Sequence, residues 1–194
     1  MIPLRATLEE TVWKRVVSVD QALLLGVRRW ESALLTRLMK TLTHLGDTST
    51  WVMVGLALGL SGGRGPRYAG LLGLGAAIAV LGSQVLKRLC CRARPSCGIG
   101  GFAALAENPD AFSFPSGHTA AAFGIAVALA GEGMGLGALT LALASGIAVS
   151  RVYLGAHYPL DVAAGTLVGT LAGLTARMIV DSAPLLGYAP FLAA

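Results

Sequence analysis

Charged side chains are scarce in this sequence. Only 13% of its 194 residues are charged, whereas 55% are hydrophobic. A soluble globular domain carries about 25% charged residues. A mean hydropathy of +0.70 leaves too little polar surface to keep such a domain in water. The shortage of charge excludes an ordinary soluble protein and indicates that the bilayer is its solvent.

Cysteine and clustered carboxylates are also scarce. Cys90, Cys91 and Cys97 form no CxxC pair and no His/Cys pair at the spacing of zinc ligands. The carboxylates form no cluster that would hold a divalent ion. We therefore predict no metal and no cofactor. The thiols are either free or form a disulfide from Cys97 to Cys90 or Cys91.

Acidic residues are fewer than basic ones, which gives a net charge of +5. The basic residues interrupt apolar stretches and form no solvated patch of the kind that binds nucleic acid. We therefore predict no nucleic-acid partner. A membrane surface or an anionic substrate explains these charges better.

Long apolar stretches dominate the remainder of the chain. They predict an all-α integral membrane bundle of about five transmembrane helices, because an open sheet cannot satisfy its backbone in lipid. The chain is long enough for one domain. The predicted spans are Trp51–Gly63, which is short, Tyr68–Leu86, Thr119–Gly131, Met134–Val149 and Val162–Val180.

The N-terminal segment follows a different pattern. Leu34, Leu38 and Leu45 recur at helical spacing, with Arg37 and Lys40 on the opposite face. This pattern is typical of an amphipathic helix lying in the membrane interface. We therefore divide the chain into an interfacial segment, 1–46, a catalytic transmembrane domain, 47–181, and a C-terminal tail, 182–194. A helix packed on a soluble core is the alternative for the first segment.

Three polar clusters lie at the ends of predicted spans. They are Lys87-x6-Arg94-Pro95, Pro115-Ser116-Gly117-His118 and Ser150-Arg151-x5-His157-x3-Asp161. Because five helices alternate in direction, the loop between spans two and three and the loop between spans four and five share one membrane face. The topology therefore predicts that the three clusters converge.

The cations in these clusters are suited to phosphate. The guanidinium groups of Arg94 and Arg151 match phosphate oxygens in pairs, and Lys87 supplies a point charge. The alternative is interfacial anchoring, which explains most basic residues at membrane edges. We assign that anchoring role to Arg88 and Arg92.

Ser116 and Gly117 open a predicted helix, whose free N–H groups and dipole bind an anion. A simple helix cap is the alternative for Ser116. His157 and Asp161 lie about one helical turn apart, so the carboxylate can fix the ring tautomer that leaves the other nitrogen free to attack. With His118, the sequence provides a nucleophile and a general acid. A structural His–Asp pair is the alternative.

The three clusters, in this order, resemble the signatures of the type 2 phosphatidic acid phosphatase (PAP2) superfamily, KxxxxxxRP, PSGH and SRxxxxxHxxxD. The resemblance implies a phosphohistidine on His157, supported by Asp161, and protonation of the leaving oxygen by His118. It implies that Lys87, Arg94, Ser116, Gly117 and Arg151 hold the phosphate, with Pro95, Pro115 and Ser150 in support. Many members have six spans, so the N-terminal arrangement departs from the pattern.

These features predict a metal-independent membrane lipid phosphatase. The substrate is left open among undecaprenyl diphosphate, phosphatidylglycerophosphate, phosphatidic acid and lipid A 1-phosphate. A phosphotransferase that passes the phosphate to a second lipid is the first alternative, and a transporter or scaffold is the second. The sequence does not indicate an oligomeric state.

The chain is expected in a bacterial inner membrane. Lys87 and Arg94 are explained by phosphate binding, so they do not report on topology. Arg64 and Arg67 lie in a turn without a catalytic task, and positive charge favours the cytoplasm for that turn. The active site is therefore predicted on the periplasmic or extracellular face.

Overall fold

The structure, a computed structural model, describes residues 4–107 and 110–182, with side chains from residue 13 onward. The described residues are helical apart from their loops and an isolated antiparallel bridge between Ala93 and Phe112. The helices are α1 Leu4–Arg28, α2 Ala33–Leu45, α3 Thr48–Leu60, α4 Gly65–Cys90, α5 Pro95–Gly98, α6 Gly117–Leu129, α7 Met134–Tyr153 and α8 Pro159–Ser182, with a short 3₁₀ turn at Ala130–Glu132. The all-α prediction is confirmed.

Helix α6 lies at the centre of the bundle, against α4, α7 and α8. Glycine allows α4 and α8 to approach it closely. A Cβ added at Gly75 or at Gly173 would lie 2.6 Å from the carbonyl oxygen of Gly124, and one at Gly169 would lie 2.4 Å from that of Ala120. Small residues at such crossings let membrane helices pack backbone to backbone. The resulting core fixes the ends of α4, α6 and α8 relative to one another.

The predicted spans differ in length. Helices α4, α7 and α8 are long and apolar enough to cross a membrane. Helices α3 and α6 have 13 residues each. At 1.5 Å per residue they measure about 20 Å, less than the roughly 30 Å of a hydrocarbon core. The number of crossings therefore stays a prediction.

Two helices begin at the residues that the sequence marks as helix starts. Helix α8 begins at Pro159 and α6 at Gly117. Helix α4 is longer than predicted and continues to Cys90, after which Cys91 adopts a left-handed conformation with φ 47°. Lys87 consequently lies in the last turn of α4 rather than in the following loop.

The N-terminal segment forms two helices that pack against the bundle. Asp20 and Leu24 of α1 are buried, and so is Thr43 of α2. The hydroxyl of Ser32 accepts a hydrogen bond from the Leu35 N–H and caps α2. Trp13 is 64% exposed, so an apolar surface remains outward. The placement of this segment in the interface stays a prediction, and the tail predicted from 182 lies almost wholly outside the described residues.

Candidate active site

The three clusters converge at one end of the bundle. Lys87 and Arg151 lie in the last turns of α4 and α7, and His118 lies in the first turn of α6. Arg94 and His157 come from loops. These five side chains line a cavity of about 150 Å³. The cavity is therefore surrounded by three cationic side chains and two histidines, which three helices and two loops contribute.

Two of the cations are held by one carboxylate. Lys87 Nζ and Arg94 Nη2 both bind the side chain of Asp110. Arg94 also donates from Nε to the Asp110 carbonyl oxygen at 2.8 Å and from Nη1 to the Ala156 carbonyl oxygen at 2.7 Å. Burial alone would raise the pKa of Asp110, but these two hydrogen-bonded cations bring it below its ordinary value. The cations are thus oriented into the cavity by fixed partners.

Arg151 is buried and reaches across to the N-terminal segment. Its Nη1 donates to Thr43 Oγ1 at 2.6 Å. Arg151 and His118 also line a second, more open cavity of about 720 Å³, together with Lys40 and His44. The two cavities therefore meet at His118 and Arg151.

His157 is held by a backbone carbonyl. Its Nδ1 lies 2.7 Å from the carbonyl oxygen of Ser113, so Nδ1 must carry the proton and donate it. Its Nε2 is unprotonated and accepts a long hydrogen bond, 3.4 Å, from Arg94 Nη1. Burial, with Arg151 and Arg94 acting in the same direction against Asp161, lowers the pKa of His157 to about 4. A neutral imidazole with an unprotonated Nε2 is the form that a nucleophile requires.

Asp161 takes a different place from the predicted one. Its Oδ2 is 3.7 Å from His157 Nδ1, too far for the expected hydrogen bond. It accepts instead from the Ser113 hydroxyl, from the Tyr158 N–H at 2.8 Å and from Arg92 Nη1 at 2.7 Å. Because α8 begins at Pro159, Asp161 is the third helical residue, and its carboxylate turns back to the preceding N–H as in a capping box. Asp161 is therefore linked to His157 by Ser113, which donates its hydroxyl to Asp161 and accepts from His157 Nδ1 on its carbonyl oxygen.

His118 is bonded to Asp47. His118 Nε2 lies 3.0 Å from Asp47 Oδ1, and Asp47 Oδ2 lies 3.0 Å from Nδ1 of His44. Asp47 occupies the position that precedes α3, but its side chain makes no capping bond there. Burial alone would raise the pKa of Asp47, but its hydrogen bonds to His44 and His118 bring it below the ordinary value. The carboxylate thus joins the cavity histidine to a solvent-exposed one.

The remaining predicted site residues separate into two groups. Gly117 lines the cavity, at the N-terminus of α6. Ser116 is fully buried, and its hydroxyl accepts from Thr119 Oγ1 at 2.9 Å. Ser150 Oγ donates to the Ile147 carbonyl oxygen at 2.6 Å. The following lie behind the cavity wall rather than in it: Pro95, Pro115, Ser116 and Ser150.

The assignment of Arg92 as an interfacial anchor is wrong. Its guanidinium is only partly exposed and forms ion pairs with the buried carboxylates of Asp161 and Asp20. The reason is the extended backbone at Ala93, which forms a bridge and places Arg92 and Arg94 on the same side of the chain. The signal in the sequence was the spacing of two between these arginines, which places both side chains on one side of an extended segment. Asp110 was also missed, although it is an acidic residue in a basic loop.

Within the described residues, no group of three or more His, Cys, Asp or Glu side chains comes together as a metal site would require. The three cysteines are exposed and unbridged. The positive charge that faces the cavity is supplied by side chains and by the N-terminus of α6.

Several curated proteins resemble this chain. Decaprenylphosphoryl-5-phosphoribose phosphatase of Mycobacterium tuberculosis is 34% identical over 142 residues, which cover 73% of this chain and 76% of that protein. Undecaprenyl-diphosphatase of Sulfolobus acidocaldarius is 30% identical, over 79% of this chain and 74% of that protein. A shorter match, 41% identical over 39% of this chain, joins it to bacitracin transport permease protein BcrC of Bacillus licheniformis and spans only 36% of that protein.

A solved structure shares the fold. The PAP2-type phosphatidylglycerolphosphate phosphatase from Bacillus subtilis superposes with a TM-score of 0.71 at 26% identity, over 87% of each chain. The predictions of a membrane protein and of a lipid phosphatase are thereby confirmed. Residues 68–183 match the PAP2 superfamily, and all three polar clusters lie within them. The chain belongs to the PAP2 superfamily.

Proposed function

We propose that the protein releases phosphate from a lipid-linked phosphomonoester or diphosphate through a phosphohistidine on His157. One observation carries the proposal: the unprotonated Nε2 of His157 lies in a small cavity with three cationic side chains and a second histidine. Such a cavity has what phosphoryl transfer needs, because the reaction depends on positioning and on neutralising negative charge.

The phosphate is held first. Lys87, Arg94 and Arg151 surround the cavity, and the free N–H groups at the start of α6 face it beside Gly117. The guanidinium forks and the helix N-terminus bind the non-reacting oxygens, whose charge grows in the transition state. With the charge balanced by side chains, we expect hydrolysis to persist in excess EDTA and vanadate to inhibit it.

The phosphoryl group is then transferred to His157. The lone pair on His157 Nε2 forms the N–P bond while the bond from phosphorus to the leaving oxygen breaks. Nδ1 keeps its proton and donates it in a hydrogen bond to the Ser113 carbonyl oxygen, which stabilises the ring as it becomes positive. His118 donates a proton to the leaving oxygen. Since its Nε2 is bonded to Asp47, Nδ1 is the nitrogen available for that transfer.

Water completes the cycle. The neutral His118 now removes a proton from water, whose oxygen attacks phosphorus, and the N–P bond breaks to return His157 and free phosphate. An acceptor hydroxyl could attack the same intermediate, which is the difference between hydrolysis and transfer to a second lipid. The second cavity opens directly beside His118 and has a polar wall. It gives water a route to the intermediate, which favours hydrolysis.

An apolar groove supports a lipid substrate. A groove of about 470 Å³ lies between α3 and α4, and it shares Gly46, Thr48, Val80 and Ala121 with the catalytic cavity. Trp51 and Leu56 line it further along. A chain lying there would place its phosphate in the catalytic cavity. One relative is named undecaprenyl-diphosphatase and another decaprenylphosphoryl-5-phosphoribose phosphatase. We therefore propose a polyprenyl-linked phosphate, such as undecaprenyl diphosphate, ahead of the three glycerolipid and lipid A candidates.

The proposed location is a bacterial inner membrane, with the site on the periplasmic or extracellular face. The turn on which this orientation depends lies at the opposite end of the bundle. There Arg67 forms ion pairs with Glu132 and Asp181, while Arg64 is exposed. The exposed Cys97 lies just after Arg94. In intact cells that carry Cys90→Ser and Cys91→Ser, a membrane-impermeant maleimide should label Cys97. Labelling only after permeabilisation would place the site on the cytoplasmic face.

Phosphate release by the purified protein tests the activity. We expect release from at least one of four lipids, in micelles with excess EDTA, and none from the His157→Ala variant. The panel contains undecaprenyl diphosphate, phosphatidylglycerophosphate, phosphatidic acid and lipid A 1-phosphate. Activity abolished by EDTA and restored by Mg²⁺ would contradict the mechanism. Phosphate recovered on an added acceptor lipid instead of in solution would identify a phosphotransferase.

A further inference from the structure

Arg92 connects two carboxylates from distant parts of the chain. Its Nη1 donates to Asp161 Oδ1 at 2.7 Å, and its Nη2 donates to Asp20 Oδ2 at 2.6 Å. Asp161 is 0% exposed and Asp20 is 1% exposed. Buried carboxylates require a charge partner, because burial removes the water that stabilises them. One guanidinium serves both, so neither carboxylate is balanced if it is lost.

The same side chain contacts the segment that carries His157. The Arg92 guanidinium lies over the ring of Tyr158, 4.1 Å from its centroid. Asp20 Oδ1 accepts from the Leu160 N–H at 2.9 Å, so a carboxylate from α1 caps the start of α8. Arg92 therefore holds Tyr158, the residue after His157. Helix α1 holds Leu160, the residue after Pro159.

Ser113 completes the path from Arg92 to the nucleophile. The Ser113 N–H donates to the Arg92 carbonyl oxygen at 2.7 Å, and its hydroxyl donates to Asp161. The Ser113 carbonyl oxygen accepts from His157 Nδ1 at 2.7 Å. Ser113 is therefore held by the backbone of Arg92 and by the carboxylate that Arg92 binds. Its carbonyl in turn selects the tautomer in which His157 Nε2 is unprotonated.

We propose that Arg92 is a positioning residue for His157, that Asp20 holds Arg92 in place, and that α1 is thereby part of the catalytic site. The inference rests on the proposed role of His157. It assigns a function to a helix outside residues 68–183, the region that matches the family. Arg92 does not line the catalytic cavity. Its loss should therefore slow the chemical step and leave phosphate binding largely intact.

The test compares kcat and KM of the full-length protein in detergent micelles, with p-nitrophenyl phosphate and with phosphatidic acid. Arg92→Gln should lower kcat about 100-fold and change KM less than about 3-fold, as expected for a residue that orients a reacting group. Arg92→Lys, which keeps the charge, should recover about 10-fold of that loss. Asp20→Asn should lower kcat about 10-fold, because it loosens Arg92 without removing it.

Arg88→Gln is the matched control. Arg88 has the same charge, is exposed, and lies four positions from Arg92. It should retain the parental kcat and KM. Elution as one species and an unchanged thermal midpoint would show that each variant folds. If Arg92→Gln does not fold, the kcat of Arg92→Lys and Asp20→Asn decides the question.

The outcomes separate this inference from the proposed function. A parent protein without His157-dependent phosphate release would overturn the proposed function itself. A parent that depends on His157, with folded Arg92→Lys and Asp20→Asn variants at parental kcat, would overturn the inference alone. A rise confined to KM would also overturn it, because that result would make Arg92 a substrate-binding residue.

Discussion

The two walls of the catalytic cavity hold their histidines differently. On the inner wall, His157 is 1% exposed, and Ser113 and Asp161 behind it are fully buried. On the outer wall, the side chains of His118 and Asp47 are 23% and 40% exposed. The inner wall is built by the C-terminal end of α7, the N-terminal end of α8 and the loop before α6. In the outer wall, Asp47 comes from the turn between α2 and α3.

The difference follows from what each histidine must do. A nucleophile must present an unprotonated nitrogen in one direction, and a dry, rigid surrounding favours the neutral ring. A general acid must gain and lose a proton in every turnover, so it must communicate with water. The chain from His118 through Asp47 to His44 reaches the surface, where the His44 side chain is 73% exposed. Burial suits the first role and partial exposure suits the second.

The largest expected effect is on the inner wall. His157→Ala should lower turnover about 10⁵-fold or more on every substrate, because no phosphohistidine can form. Phosphate release by the purified variant measures the loss. His44→Ala serves as a histidine control outside the catalytic cavity and should lose no more than about 3-fold, because water can replace this exposed ring. Acid quenching with a ³²P-labelled lipid should trap label on His157 in the parent. Label on His118 instead would reverse the roles of the two walls.

The next effect separates the walls by leaving group. His118→Ala should slow formation of the phosphohistidine, measured in a single turnover before water attacks it, about 1,000-fold with the lipid and only about 10-fold with p-nitrophenyl phosphate, because p-nitrophenolate leaves without a proton. The ratio of the two losses is the measurement. His157→Ala should lose both activities equally. Equal losses in His118→Ala as well would show that His118 is not the acid.

Sequence reasoning located the chemistry but not all of its supports. The motifs at the starts of α6 and α8 were predictable because Ser116-Gly117 and Pro159 mark helix ends locally. The partner of His157 was not, because the carbonyl of Ser113 lies 44 positions away and any residue type offers a carbonyl. A direct contact from Asp161 was the natural expectation from a spacing of four. The capping geometry of α8 turned that carboxylate elsewhere.

The role of the N-terminal segment was hidden for a related reason. Its leucine periodicity predicts an interfacial helix, and periodicity reports on the apolar face alone. Asp20 is a single acidic residue in that segment, and its partner Arg92 is 72 positions away. A pairing over that distance depends on the tertiary fold. The division at residue 46 stays a prediction, although Asp20 and Thr43 both contact residues beyond it.

Proton affinity offers a further measure of the inner wall. Burial, assisted by Arg151 and Arg94, lowers the pKa of His157 from 6.5 to about 4, which is roughly 300-fold weaker proton binding. The ring should therefore stay neutral as pH falls through 6, and it should gain its proton only as pH approaches about 4. Nitrogen NMR of ¹⁵N-histidine-labelled protein, assigned with His157→Gln, gives the midpoint. A midpoint near 6.5 would mean that the inner wall is hydrated.

The smallest effect concerns the support of the outer wall. Asp47→Asn should slow lipid hydrolysis about 10-fold, because the amide holds His118 Nε2 but supplies no negative charge to the imidazolium. Hydrolysis of p-nitrophenyl phosphate should fall only about 2-fold, since it needs little protonation.

His44→Gln should cost lipid hydrolysis no more than about 3-fold, because the exposed His44 can be replaced by water as a partner for Asp47. With the loss expected for His118→Ala, the losses of lipid hydrolysis decrease in the order in which His118, Asp47 and His44 follow one another from the cavity to the surface. If Asp47→Asn instead slows both substrates equally, with its fold intact, then Asp47 shapes the cavity as a whole. Both walls would in that case be rigid, and the contrast between a fixed nucleophile and an accessible acid would be lost.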